Sequence, residues 1–103
     1  MFIARWKIDA RFGQKQKVVE MLRRWAEEIA PEAGWPAAKG QLLSGSIGAL
    51  EATVEHNWAV ENLAELERVW AKLGALDAHA KWGKELEPYV VSGSSRWEIY
   101  RVL

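Results

Sequence analysis

Residues 2–12 alternate in character along their whole length. Phe2, Ala4, Trp6, Ile8, Ala10 and Phe12 are apolar, and Ile3, Arg5, Lys7, Asp9 and Arg11 stand between them. A period of two belongs to a strand whose faces meet different surroundings, because successive side chains of extended backbone point to opposite sides. So long an apolar row cannot be left in water, so the fold must cover one side of this strand. The remaining sequence reads as that cover.

After Gly13 and Gln14, the residues Val18, Met21, Leu22, Trp25, Ala26 and Ile29 recur at helical spacing and predict an amphipathic helix over roughly 14–30. Pro31 disfavours helical geometry at Ala30 and should end it. Residues 31–40 carry two prolines and two glycines around Trp35, and read as an ordered loop with Trp35 as a lid on the core. Residues 41–47 predict an edge strand weakened by Ser44, Gly45 and Ser46. Leu50, Ala52, Val54, His56 and Trp58 then alternate with Glu51, Thr53, Glu55 and Asn57, the second clear strand.

Leu63, Leu66, Val69, Trp70 and Leu73 give a second helical stripe over 61–73, interrupted by Gly74. A helix running straight through would carry His79 to the polar face with Arg68 and Lys72. A break near Gly74, with Asp77 as the new N-cap, gives the stripe Leu76, Ala80, Gly83 and Leu86 with His79 beside it; we favour the break. Pro88 stops the helix, residues 92–95 are a small-residue loop, and residues 96–103 form a last strand.

The order is strand, helix, strand, strand, helix, strand. It predicts an α+β, ferredoxin-like β-α-β-β-α-β fold spanning 1–103 as a single domain, its four-stranded antiparallel sheet covered by two helices on one face. The first strand is then central, between the third and fourth, which sets Arg5, Lys7 and Arg11 near Glu51 and Glu55. A chain of this size buries only about two thirds of its unfolded surface, so a further interface would stabilise it.

Composition excludes several functions. Fourteen basic and fourteen acidic residues cancel, which is not the basic footprint of a nucleic-acid binder. There is no cysteine, and so no disulfide, thiolate catalysis or Cys-based zinc site. No apolar run is long enough to span a membrane, and a cytoplasmic protein is the expectation. Seven tryptophans, in every segment of the chain, are the unusual feature. They read either as large core side chains or as the lining of an aromatic cavity.

Candidate chemistry is sparse. His56 lies on the apolar side of its strand, either as a buried neutral imidazole or as a pocket residue that takes a proton from a ligand. His79 is either a solvent-facing helix residue or a second such base. Trp6, Trp58 and Trp70 are the candidate ligand-binding residues. No histidine and carboxylate spacing suggests a metal site, and neither a glycine-rich phosphate loop nor a nucleophile elbow is present.

In this order of elements the chain resembles the dimeric α/β-barrel superfamily, including its NIPSNAP-like, stress-responsive-barrel and antibiotic-biosynthesis-monooxygenase-like members. The likeness is most specific at Val90-Val91-Ser92-Gly93-Ser94 leading into Trp97-Glu98-Ile99-Tyr100-Arg101-Val102, and at Arg5-Trp6 through Ala10-Arg11-Phe12-Gly13. It implies a homodimer joined through the charged sheet face, and a small apolar or aromatic ligand bound between sheet and helices without a cofactor. Any activity would be of monooxygenase, cyclase or isomerase type, with His56 or His79 as base. A non-catalytic dimerisation or interaction module is the alternative. Haem-degrading relatives pair a histidine and a tryptophan of the second helix with an asparagine of the first strand. Trp70 and His79 match two of these, and no asparagine matches the third, so haem binding is the weaker implication.

Overall fold

The computed structural model describes residues 1–103. Four strands, β1 (Phe2–Asp9), β2 (Gly40–Ser44), β3 (Thr53–Val60) and β4 (Arg96–Arg101), form one sheet in the order β2-β3-β1-β4. Every neighbouring pair is antiparallel. Three helices, α1 (Lys15–Glu28), α2 (Leu63–Ala75) and α3 (Asp77–Leu86), complete the chain, with short 3-10 turns at Ala30–Ala33, Ala37–Lys39 and Glu87–Tyr89. This is the ferredoxin-like α+β arrangement, with the expected second helix divided in two.

The alternation of β1 decides the layering. Ala4, Ile8 and Ala10 are buried, and Phe2 and Trp6 pack against the same core as Val18, Met21, Leu22 and Trp25 of α1 and Leu66, Val69 and Leu73 of α2. Phe12 departs from the expectation: it is fully exposed, because the strand ends at Asp9 and only an Ala10–Val90 bridge continues it. The neighbouring strands also shift. β2 ends at Ser44 and β3 starts at Thr53, leaving Ile47 and Leu50 exposed in the turn between them.

On the opposite face the charges pair as diagonal neighbours across the sheet. Arg5 donates two hydrogen bonds to Glu55, at 2.8 and 3.0 Å, and Lys7 donates to Glu98 at 2.9 Å. Burial alone would raise the Glu55 carboxyl, but the Arg5 guanidinium, helped by Lys7, holds it below its ordinary range. Arg11 and Glu51 do not join this ladder. With the strand ended, Arg11 Nε donates to the Val90 carbonyl, and Glu51 in the β2–β3 turn pairs with Lys15.

The break between α2 and α3 falls at Leu76, whose extended backbone (φ −89°, ψ 117°) is the N-cap of α3. Asp77 is therefore the first helical residue and not the cap, favourable to the positive helix end but making no capping hydrogen bond. Asn62 caps α2 instead, accepting from Glu65 N–H at 2.8 Å, while Glu65 accepts from Glu61 N–H. The stripe on α3 also turns: Trp82 is buried beside Leu86, and Ala80 is exposed. No helix is long and apolar enough to cross a membrane.

Candidate functional site

Antiparallel register sets Leu42, His56, Trp6 and Trp97 in one row across the helix-facing side of the sheet. Above that row the helices leave a cavity of about 630 Å³. Trp6, His56, Trp58, Trp70 and His79 all line it, so the five candidates from the sequence come together at one place. Trp25 of α1, Trp82 of α3 and Trp97 of β4 join them, so six of the seven tryptophans stand on its wall. Trp35 is the exception. It is buried and stacked on Trp58 at 4.8 Å with rings 8° from parallel, the lid on the core that its loop suggested.

Trp25 is the hub of the aromatic wall. Its ring centroid lies 5.8 Å from His56, 6.2 Å from Trp58, 6.1 Å from His79 and 5.9 Å from Trp82. Its Nε1–H donates to His79 Nδ1 at 3.0 Å. Trp82 Nε1–H donates to the Met21 carbonyl at 2.9 Å, tying α3 to α1, and Trp6 Nε1–H donates to Ser95 Oγ at 2.8 Å. At the rim, Trp70 and Trp97 meet edge to face at 5.3 Å, and both are more than a third exposed.

His56 is buried, and burial lowers its pKa to about 4, so the imidazole is neutral at pH 7. Its Nδ1 is sealed from solvent with no hydrogen-bond partner, as are the indole nitrogens of Trp35 and Trp58 beside it. Gly40 of β2 makes this crowding possible. A Cβ there would fall 2.6 Å from the Trp58 ring and 2.7 Å from His56 Nε2. His79 is half-buried, and burial lowers its pKa as well.

The remaining polar wall is small: Ser95 and Glu87, with no lysine or arginine. No three His, Asp or Glu side chains gather in a metal-binding cluster. Sequence reasoning missed Trp25, Trp82, Trp97 and Ser95 as wall residues. Two signals were present: Trp82 follows His79 by one helical turn, and Trp97 sits on the apolar side of β4 opposite Trp6.

Solved structures with the same fold include NIPSNAP and antibiotic-biosynthesis-monooxygenase-like proteins. A NIPSNAP family protein from Agrobacterium tumefaciens superposes with a TM-score of 0.80 at 20% identity, over 99% of this chain and 92% of that one. A NIPSNAP-like domain protein from Burkholderia xenovorans gives 0.78 at 20% identity, over 99% and 84%. An antibiotic-biosynthesis-monooxygenase-like protein from Nitrosomonas europaea gives 0.68 at 10% identity, over 100% and 99%. These likenesses establish the fold expected from the order of elements. No protein-family sequence profile and no curated protein matches the chain.

Proposed function

We propose that this chain binds a small, largely apolar aromatic molecule in the cavity between sheet and helices, as one half of a homodimer joined through the charged sheet face. The observation that carries the reading is the wall itself: six indole rings around about 630 Å³, a volume inside the usual range for small-molecule sites. A helical glycine on that wall, Gly83, supports it. A methyl group there would meet nothing within 4 Å, and glycine inside a helix costs about 1 kcal/mol relative to alanine. Stability is given up where space is kept open.

Catalysis is the second reading, favoured by His56, whose ring lines the cavity and requires no cofactor to move a proton. A pKa of about 4 makes it a weak base at neutral pH, so binding without turnover is the stronger conclusion. The haem alternative fits poorly. Iron ligation through His79 Nε2 needs a lone pair there, and Trp25 donating to His79 Nδ1 of the neutral ring leaves the proton on Nε2. A pure interaction module has no use for the cavity.

The test is titration with N-phenyl-1-naphthylamine, a neutral aromatic dye, followed by quenching of tryptophan fluorescence. The expected result is saturable binding at one site per chain, weakened about tenfold in Trp70→Ala, whose rim position spares the core. Absence of saturable quenching would overturn the reading.

A further inference from the structure

Two polar groups on the cavity wall each receive an indole N–H, and the consequence is the same at both. A neutral imidazole has one N–H and one lone pair on nitrogen. Trp25 Nε1–H donates to His79 Nδ1 at 3.0 Å, so the lone pair is at Nδ1 and the proton is on Nε2. Burial favours this neutral form, and protonating Nδ1 would require displacing the Trp25 donor. The ring stays oriented by its stack on Trp82, 19° from parallel at 6.1 Å. Ser95 Oγ likewise accepts from Trp6 Nε1–H at 2.8 Å, which leaves its own hydroxyl hydrogen to give.

The wall is thus biased toward hydrogen-bond donors. It carries no cationic side chain, so an anionic ligand would find no counter-charge, and its one formal charge, Glu87, is solvent-exposed and attracts a cation only weakly. We infer that the cavity selects a neutral aromatic ligand bearing an acceptor oxygen. His79 Nε2–H donates to that oxygen, and Trp25 is the positioning residue that fixes the tautomer. The inference rests on the cavity being a ligand site. It also removes His79 as a general base, because its free nitrogen already holds a proton.

Two measurements test it. Nitrogen-15 NMR of the histidine side chains in the free protein should find the Nε2–H tautomer at His79, with Trp25→Phe shifting the ring toward a tautomer mixture and raising its titration midpoint. Binding of tetralin, 1-tetralone and 1-aminotetralin should rank the ketone about fivefold to tenfold above the hydrocarbon, the effect of one neutral hydrogen bond, with the protonated amine gaining no such advantage. The ketone advantage should vanish in His79→Leu and persist in His79→Gln, whose amide N–H can still donate. An Nδ1–H tautomer, equal affinity for ketone and hydrocarbon, or a ketone advantage that survives His79→Leu would overturn the donor assignment alone. Failure of tetralin and tetralone both to bind would overturn the ligand site and the inference together.

Discussion

At the scale of single residues, His56 sets the most exacting constraint. Its neighbours are aromatic rings, its Nδ1 has no partner, and whichever nitrogen carries the proton, a buried polar atom goes unpaired. Such a group costs about 1–3 kcal/mol. The pH dependence follows with a definite sign. The folded pKa of about 4 lies below the ordinary 6.5, so the unfolded chain takes up the proton first as pH falls. Stability owed to neutral His56 is complete above pH 6.5 and drains between 6.5 and 4 at up to about 1.4 kcal/mol per pH unit. His56→Leu should therefore be at least as stable as the parent at pH 7 and show a flatter stability profile from pH 6.5 to 4. A residual slope from His79, whose pKa is also lowered, should remain. Urea denaturation at a series of pH values measures this. A parent-like slope, or a loss above about 2 kcal/mol at pH 7, would contradict the buried neutral assignment.

Among the elements, α3 joins stability and site most directly. Gly83 lies in its interior on the cavity wall, where an added Cβ has room. Gly83→Ala should raise stability by about 0.5–1 kcal/mol through helix propensity, and should weaken N-phenyl-1-naphthylamine binding as the methyl group narrows the cavity. Destabilisation in thermal melts would mean that this glycine serves packing. The same helix marks where the sequence ceased to be legible. Its existence followed from the interruption at Gly74, and Gly83 and Leu86 face the cavity with His79 beside them, but Trp82 was missed and Ala80 is exposed, because Leu76 caps the helix in extended backbone and does not share its phase. Period two in β1 and β3 made the sheet and its central strand readable, since one face must be buried. It could not say where pairing would stop, and Phe12 and Leu50 continue the alternation beyond the last ladder contact. His56, Trp58 and Trp6 were legible as wall residues through strand parity. Trp25 was legible only as a helix-stripe residue, because its hydrogen bond to His79 joins residues 54 positions apart.

For the whole molecule, the proposed dimer turns on the face of the sheet away from the helices. Arg5, Lys7, Glu55 and Glu98 there satisfy one another within the chain, and Arg96 lies 3.6 Å from Asp9, so the ladder presents no unmatched formal charge. Neutralised pairs cost less to remove from water than lone charges, although they return little net energy. Attraction must then come from apolar groups of the same face. Leu43 and Tyr100 are both exposed, and Tyr100 is held over the Arg5 guanidinium at 5.1 Å. A twofold contact between two such faces would use each patch twice and cover both edge strands of the sheet, β2 with Leu43 and β4 with Tyr100. Light scattering at micromolar concentration should therefore give twice the chain mass. Leu43→Glu, which adds an unpaired charge beside Glu55 in the register, should give a folded monomer. Because Leu43 points away from the cavity, that monomer should still bind N-phenyl-1-naphthylamine with affinity close to the parent's. A monomeric parent would refute the dimer and leave the cavity reading intact. A dimeric Leu43→Glu variant would mean that the subunits meet through another surface.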